Sequence, residues 1–379
     1  MKDNLPVVWR AEPHTPAKHA ILKRYLDAWI PILSRQSRRV KRANQEILFI
    51  DGFAGPGEYE NGEPGSPVIA LTTALQHSVD FPVPIRFLFI EEDKERFERL
   101  NSVLQKYKKQ LENSKNVLMS PPEQGECDSI LNEMLDEQQK RGTRFGPALA
   151  FLDQFGYSAV SMQLIQRILA FPQCEVFSYL DYHGMNRWIG DQSKAPSFDR
   201  AWGGGEWRGA INLPELDRRE YLLSSYKDAL RARATAKYVC NFSMFDKNDE
   251  PLYWLIFATN SLRGLEVMKT AMWKVDETGS FKFSDKDNPD QLRLLNEEFD
   301  QNWLADELAR RLAGKTMTIA DIKEFVFTET PCCLFKEALK TLELKKNPGI
   351  RVVNSPAKRR PGTFPEEDLK VQFREMGLF

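Results

Sequence analysis

Residues 47–67 read ILFIDGFAGPGEYENGEPGSP, and this stretch decides the fold. It opens with four apolar residues, 47–50, a run that is too short for a helix and typical of a buried strand. The strand ends at the carboxylate of Asp51, and five of the next fourteen residues are glycines. Ser66 and Pro67 then predict a helix, with Ser66 as N-cap and Pro67 as its first residue. Strand, acidic end, glycine loop and helix together predict the nucleotide-binding end of a doubly wound α/β sheet.

The glycine spacing is D-G-F-A-G-P-G, which differs from the G-x-G-x-x-G of dinucleotide-binding proteins. It resembles motif I of class I S-adenosylmethionine-dependent methyltransferases, D/E-x-x-x-G-x-G. Glycines let the backbone approach a ligand closely, and a carboxylate favours the ammonium group of that cofactor. The alternative is an ordinary tight turn without a ligand. The residues expected to bind S-adenosylmethionine are Asp51, Gly52, Phe53, Gly55 and Gly57.

Composition limits the classes of protein that fit. The chain has 379 residues and a net charge of -1, so any nucleic-acid surface must be a local patch. Five cysteines without a C-x-x-C pair, and only four histidines, argue against a zinc site or a disulfide framework. Reduced thiols favour a cytoplasmic protein. We expect no metal site and no membrane span, since no apolar run reaches 18 residues.

Three consecutive acidic residues, 91–93, follow the second predicted strand. The run 85–90 predicts a second strand, and Glu91 stands at its end, where this fold accepts hydrogen bonds from ribose hydroxyls. Glu92 or Asp93 would instead cap the following helix, predicted over 94–111. If the resemblance holds, adenine would lie against the loop 120–125. An earlier helix is predicted from Thr15 to about Pro31.

The fourth predicted strand, 147–152, ends in Asp153-Gln154-Phe155-Gly156. In amino-methyltransferases this strand ends in [D/N/S]-P-P-[Y/F/W], whose polar side chain holds the target amino group while the aromatic ring stacks on the base. By this resemblance Asp153 and Phe155 are the candidate catalytic residues. Gln154 replaces the first proline, so φ is not fixed by a ring at that position. This departure favours a protein that keeps the fold without catalysis.

The rest of the predicted sheet, with a long insertion, begins at residue 174. A fifth strand is predicted over 174–180, followed by an insertion at about 181–236 that contains the aromatic and glycine-rich run 202–209. That run is either a lid that stacks a base or a disordered insertion. Alternating segments at 238–242 and 253–258 predict an antiparallel pair that closes the sheet. Residues 1–284 are therefore predicted to form an α/β, Rossmann-like methyltransferase domain with a mostly parallel sheet and an antiparallel closing strand.

The C-terminal segment, 292–379, predicts three helices, a strand and a basic turn, an order that suggests a winged helix. Between 336 and 360 the chain has an excess of six positive charges, a local footprint for nucleic acid. Lys358, Arg359 and Arg360 are expected at an exposed turn, in contact with phosphates. The alternative is a solvated face on a partner-docking domain. The basic residues of this segment are Lys336, Lys340, Lys345, Lys346, Arg351, Lys358, Arg359 and Arg360.

Five short motifs occur together: HTPAKH at 14–19, FIDGFAGPG at 49–57, GSP at 65–67, FIEED at 89–93 and FLDQFG at 151–156. Together they resemble the three-Cys-motif partner proteins of bacteria and phages. The resemblance implies a methyltransferase-like Rossmann domain, a C-terminal winged helix and a three-cysteine, radical-enzyme-like partner protein. The family usually has D-P-F-G where this chain has D-Q-F-G. The resemblance fixes the fold better than the activity.

Two functions are consistent with these residues. The first is an S-adenosylmethionine-dependent methyltransferase that acts on nucleic acid at a base amino group. The second is a non-catalytic methyltransferase-like module that binds a nucleotide-like ligand, nucleic acid or the partner protein. Transfer of a labelled methyl group would separate them.

Overall fold

The computed structural model describes residues 6–39, 46–142, 145–154, 156–248, 250–276, 282–284, 300–353, 359–365 and 367–375. The chain divides into two compact units, Met1–Ala271 with Phe283–Asp287, and Met272–Lys282 with Asn288–Phe379. The predicted linker at 285–291 lies outside the described residues. Within the described ranges, no helix is both long enough and apolar enough to cross a membrane.

Within the part of the chain that the structure describes, the sheet of the first unit has nine strands and is mostly parallel. From the edge the order is Val117–Met119 (β3), Ile85–Glu91 (β2), Ile47–Asp51 (β1), Ala148–Leu152 (β5), Cys174–Leu180 (β6), Pro251–Thr259 (β8), Tyr238–Phe245 (β7) and Lys282–Ser284 (β9). A two-residue strand, Glu123–Gln124 (β4), pairs with β2. Strands β1, β2, β3, β5 and β6 pair in parallel, and β8 runs antiparallel to both β6 and β7. The predicted mostly parallel, Rossmann-like sheet with an antiparallel closing strand is confirmed.

Both faces of the central strands are buried, as expected for parallel strands. Successive side chains point to opposite faces, so neighbouring residues of one strand join different parts of the core. On one face, cross-strand phenylalanine pairs pack with ring centroids 5.5 Å apart, Phe49 with Phe87 and Phe151 with Phe177. On the other face, Ile50 and Ala150 belong to the large apolar cluster. This packing fixes the carboxyl ends of β1, β2, β5 and β6 along one edge of the sheet.

The helices of the first unit connect these strands. They are α1 (Thr15–Arg39), α2 (Ser66–Leu75), α3 (Lys94–Gln105), α4 (Lys108–Asn113), α5 (Cys127–Lys140), α6 (Met162–Leu169), α7 (Tyr182–Trp188), α8 (Ala195–Trp202), α9 (Glu215–Ala232) and α10 (Leu262–Trp273).

Three predicted helix boundaries are wrong. Helix α1 continues through Pro31 to Arg39, because the buried Ser34 exchanges hydrogen bonds with the Val83 backbone and holds the second half in place. The helix predicted over 94–111 is two helices, α3 and α4. Gly65 rather than Ser66 is the N-cap of α2, so Ser66 is its first residue and Pro67 its second.

The insertion at 181–236 is helical, with α7, α8 and α9 and two short 3-10 turns. Trp202 and Trp207 are both fully buried, and their indole N–H groups donate to Ser225 at 3.1 Å and Asp199 at 2.8 Å. Phe198 stacks on Trp207 with centroids 4.5 Å apart. Neither predicted alternative for the aromatic run, a base-stacking lid or a disordered segment, is therefore correct, because its large rings form core.

The second unit contains α11 (Gln301–Arg311), β10 (Thr316–Thr318), α12 (Ile319–Glu329), α13 (Phe335–Leu344), β11 (Ile350–Val352) and β12 (Lys370–Phe373). Its strands form an antiparallel sheet in the order β10-β12-β11. Thr318 and Asp321 form a reciprocal capping box at the start of α12. The core includes Leu304, Ile322, Leu339 and Val371.

Candidate functional site

The glycine loop between β1 and α2 has the backbone conformation that its residues predict. Gly55 and Gly57 have φ values of +60° and +82°, a left-handed region that favours glycine. Gly65 donates to the carbonyl of Gly57 at 2.9 Å, and a Cβ at Gly65 would lie 3.0 Å from that carbonyl group. The loop therefore needs glycine at these positions for its shape and for its closure.

Asp51 is a fully buried carboxylate at the end of β1. Its Oδ1 accepts from the Phe53 N–H at 3.2 Å, and its Oδ2 has no hydrogen-bond partner within the described part of the chain. Burial raises the pKa of Asp51 to about 7, although Ser66, the Phe53 N–H and Lys18 favour the ionised form. An unpartnered buried oxygen is costly, and it fits a missing cationic or hydrogen-bond-donating ligand.

Glu91 supports the glycine loop from the end of β2. Its Oε2 accepts from the Gly55 N–H at 2.8 Å, and its Oε1 accepts from the Asp93 N–H at 2.9 Å. Burial raises the pKa of this carboxyl, and the two N–H donors oppose that effect. Asp93 caps α3, accepting from the Arg96 N–H at 3.0 Å. Glu91 therefore stabilises the loop through both carboxylate oxygens. A ribose hydroxyl would have to donate to the carboxylate lone pairs that these two hydrogen bonds leave unused.

Asp153, after β5, forms an ion pair with Lys18 of α1 at 2.5 Å. Both side chains are largely buried, with 18% and 12% exposed. Burial lowers the pKa of Lys18, but Asp153 first, then Tyr59 and Glu12, outweigh it and raise the pKa overall. Lys18 therefore stays protonated beside Asp153. The proposed acceptor-holding carboxylate already has one cationic partner.

Gln154 takes over the fixing role that a proline would have in this loop. Its amide Nε2 donates to the Tyr179 carbonyl at 3.1 Å, and its Oε1 accepts from the Val160 N–H at 2.9 Å. The residue is 3% exposed, so both bonds are shielded from water. They tie the Asp153 loop to β6 and to the segment before α6. Phe155, the second candidate catalytic residue, lies outside the described residues.

These parts enclose one pocket of about 370 Å³ at the carboxyl edge of the sheet. Four of the predicted residues line it, Phe53, Gly55, Gly57 and Asp153, whereas Asp51, Gly52 and Glu91 lie behind its wall. A volume of this size is in the range of small-molecule sites. The described residues contain no group of three or more His, Cys, Asp or Glu side chains able to hold a metal ion.

The start of α1 and two tyrosines also line this pocket, and the sequence analysis assigned no role to them. The residues are His14, Lys18, Tyr179 and Tyr253. His14 and Lys18 both belong to the HTPAKH motif at 14–19, which is the signal in the sequence that could have pointed to them. Tyr179 and Tyr253 read only as ordinary strand residues. Their place beside the pocket follows from β8 pairing with β6, which no local pattern specifies.

The second unit contains the other predicted site, at Lys358, Arg359 and Arg360. Arg359 is not exposed as predicted: its side chain is 6% exposed and pairs with Glu343 of α13. Its Nη1 also donates to the Thr363 carbonyl at 2.6 Å, so the guanidinium holds the turn closed. Arg360 is exposed, and Lys358 lies outside the described residues.

No protein-family model and no curated protein matches this chain. Solved structures that match this chain include an O-methyltransferase from Bacillus cereus in complex with SAH, with 10% identity over 63% of this chain and 80% of that one, at a TM-score of 0.32. A putative O-methyltransferase from Klebsiella pneumoniae has 11% identity over 69% and 93%, at a TM-score of 0.31. A precorrin-6y C5,15-methyltransferase from Geobacter metallireducens has 9% identity over 61% and 88%, at 0.26. Identities and TM-scores this low support no inference about the substrate or the cofactor of this chain.

Proposed function

We propose that this protein is an S-adenosylmethionine-dependent methyltransferase that acts on a base amino group of nucleic acid. One observation carries the proposal. A left-handed glycine loop overlies a buried carboxylate, Asp51, whose Oδ2 has no partner within the described residues, and this loop faces the pocket that contains Asp153. A polar oxygen left unpaired in a core costs stability unless a ligand satisfies it.

The residues present fit the cofactor. Asp51 would balance the ammonium group, and the backbone of Phe53, Gly55 and Gly57 would line the ligand. Glu91 would hold the loop through the Gly55 N–H, from behind the wall of the pocket. When bound, S-adenosylmethionine supplies a methyl group whose carbon–sulfur bond breaks with the electron pair staying on sulfur.

The contribution of the protein to such a transfer is mainly positioning. Asp153 would accept a hydrogen bond from the acceptor amino group and so orient its nitrogen. After the nitrogen–carbon bond forms, the acceptor loses one proton, which Asp153 would accept and pass to water. Gln154 keeps the Asp153 loop from shifting, because its two hydrogen bonds anchor both sides of it.

A specific observation favours the second candidate, a non-catalytic module. Lys18 already pairs with Asp153 at 2.5 Å, in the place where an acceptor amino group would donate. The discriminating experiment is transfer of a labelled methyl group from S-adenosylmethionine to mixed DNA, RNA and protein, with Asp153→Ala as the inactive comparison. Label in nucleic acid that Asp153→Ala abolishes supports the enzyme. Cofactor binding without any transfer favours the module.

Cofactor binding is tested separately by calorimetry with S-adenosylmethionine and S-adenosylhomocysteine. Affinity is expected to rise as pH increases through about 7, because Asp51 must ionise to attract the ammonium group. Asp51→Asn should abolish this pH dependence. Asp217→Asn, a change at an exposed carboxylate of α9, is the matched control and should behave as the native protein. Absence of binding for both ligands at millimolar concentration would overturn the cofactor assignment.

We further propose that the second unit is a winged helix that binds nucleic acid. Support comes from its element order, helix, strand, two helices and two strands, with an antiparallel sheet. The exposed cations Lys336 and Lys340 lie four residues apart on α13, and therefore on one helix face. The turn at Gly362 lies against Lys340, which brings Arg360 to the same region.

The five motifs quoted above support two more proposals. They favour membership of the three-Cys-motif partner proteins, and hence a three-cysteine-motif protein as a binding partner. The five cysteines, without a C-x-x-C pair, favour a cytoplasmic location.

A further inference from the structure

The wall of the pocket formed by β6 and β8 carries two adjoining tyrosines. The rings of Tyr179 and Tyr253 lie 4.3 Å apart between centroids, and His14 meets Tyr253 edge-on at 5.0 Å. Tyr253 is 4% exposed, and its hydroxyl has no hydrogen-bond partner among the residues that the structure describes. The negative charges of Asp153 and Glu12 add to burial in raising the pKa of this hydroxyl. The hydroxyl therefore keeps its proton and remains a hydrogen-bond donor beside the pocket, which Tyr253 lines.

Lys18 gives the same pocket a fixed positive charge. Its ammonium lies 2.5 Å from Asp153, and the two charges offset each other. Three further carboxylates line the pocket. Glu12 contacts His14 at 2.9 Å and is 68% exposed, where water screens it. Glu58 pairs with Arg99 and Lys106, and Asp181 accepts from the Gly184 N–H at 2.9 Å as the N-cap of α7. The Lys18–Asp153 pair itself carries no net charge and presents a hydrogen-bond donor and acceptor side by side.

We propose that Lys18 and Tyr253 complete an acceptor subsite with Asp153, and that this subsite selects an uncharged, planar heterocyclic amine over an aliphatic ammonium group. The inference rests on the proposed function, because it names the acceptor of the same pocket. Asp153 accepts from the ring amino group, while Lys18 and Tyr253 donate to ring nitrogen or oxygen. Adenine and cytosine offer such an edge, with an amino group beside a ring nitrogen that accepts.

Charge explains the selection. Amino groups on heterocyclic bases are neutral near pH 7, whereas an aliphatic amine such as a lysine side chain is protonated. A second ammonium beside Asp153 would be repelled by Lys18, whose side chain is 12% exposed and already paired with Asp153. The adjoining tyrosine rings favour a flat partner by stacking.

The test measures binding of adenosine and cytidine against n-butylammonium and N-acetyl-lysine amide, by calorimetry and ligand-observed NMR. Titrations are made with and without saturating S-adenosylhomocysteine, whose own binding is measured first. The native protein is expected to bind the nucleosides and neither ammonium probe. Lys18→Met should weaken nucleoside binding about tenfold and create binding of n-butylammonium, because Asp153 is then uncompensated. A merely structural role for Lys18 would not produce this reversal.

Matched variants keep the test decisive. Lys23→Met, at an exposed position of α1, should keep native selectivity, as should Lys18→Arg, which retains the cation. Tyr253→Phe should weaken nucleoside binding about three- to tenfold, and Tyr107→Phe, away from the pocket, should not. If Lys18→Met does not fold, the proposal is judged on three other results: the selectivity of the native protein, the selectivity of Lys18→Arg, and the nucleoside affinity of Tyr253→Phe.

The two ways of failing differ. Native protein that binds an ammonium probe as well as a nucleoside, or that binds no nucleoside although it binds S-adenosylhomocysteine, overturns this inference alone. Absence of binding of both S-adenosylmethionine and S-adenosylhomocysteine overturns the proposed function, and the nucleoside titrations without cofactor still test the subsite.

Discussion

Ionised Asp51 lowers the stability of the folded protein, because its carboxylate is fully buried. A ligand that pairs with this carboxylate would remove the penalty. The pKa of Asp51 is raised from 3.8 to about 7 by burial, so the folded state holds the proton more tightly than the unfolded state does. The stability from this group is fully present below about pH 4 and is lost as pH rises through about 7. At 1.36 kcal/mol per pKa unit, ionised Asp51 costs up to about 4 kcal/mol above that pH.

The corresponding prediction concerns Asp51→Asn in the ligand-free protein. The variant is expected to be more stable than the native protein at pH 8 and no more stable at pH 4, because amide replaces a carboxylate that is penalised only when ionised. Denaturant unfolding at several pH values measures the difference. Equal pH dependence in both proteins would contradict the raised pKa. The same variant should lose cofactor affinity, so stability and binding move in opposite directions.

Glu91→Ala should behave differently, since stability and binding fall together. Removing the carboxylate leaves the Gly55 and Asp93 N–H groups without their acceptor in a buried place. The cost is expected to be about 1.5–3 kcal/mol, as for hydrogen bonds to a charged group. Thermal unfolding and calorimetry with S-adenosylhomocysteine are the measurements. Weakened binding at unchanged stability would show that Glu91 only accepts hydrogen bonds from the ligand, as the sequence predicts, and does not stabilise the loop.

At the scale of elements, the glycine loop depends on α5. A Cβ at Gly52 would collide with Cys127 Sγ and would lie 2.9 Å from Leu152 Cδ2. Gly52→Ala is therefore expected to destabilise the first unit by about 1–3 kcal/mol through overpacking. Adding Cys127→Ala should recover part of this loss, because it removes the sulfur. Gly62→Ala is the control for loop strain alone, as no atom lies within 4 Å of its Cβ position. Thermal unfolding compares the four proteins, and no recovery in the double variant would count against the contact.

Local sequence predicted the parts of the site that are local. The run 47–57 specifies strand, carboxylate and left-handed glycines through neighbouring residues, and the structure has all of them. The partners of these residues come from distant segments: Lys18 is 135 residues from Asp153, and Tyr179 reaches the pocket only through sheet pairing. Arg359 was misjudged for the same reason, because Glu343 of α13 lies opposite it in the fold. Charge counts cannot show which cations are already paired.

At the scale of the whole molecule, the basic excess of the second unit reduces to fewer available charges. Arg359 is paired with Glu343, and Lys345 contacts Asp306 at 3.1 Å. The other described cations of this segment, Lys336, Lys340, Lys346, Arg351 and Arg360, are exposed, and the turn at Gly362 lies against Lys340 of α13. A phosphate-binding surface would therefore lie on α13 and the adjoining turn. This revises the expected contact set of Lys358, Arg359 and Arg360, in which Arg359 serves the fold.

The last prediction tests this surface. Lys336, Lys340 and Arg360 changed together to alanine should weaken nucleic-acid binding to a similar extent for all sequences. Each lost phosphate contact should reduce the log-log salt slope by roughly 0.9 for duplex DNA, or roughly 0.7 for a single strand, because fewer counterions are released. Fluorescence anisotropy with duplex and single-stranded oligonucleotides at several salt concentrations measures both. Arg310→Ala, which removes a cation already paired with Glu307, is the matched control and should leave the slope unchanged. Arg359→Ala should instead lower stability by about 3 kcal/mol, since it strands Glu343. If the native protein binds no oligonucleotide at low salt, the basic face does not bind nucleic acid, and the non-catalytic module with a protein partner becomes the better account.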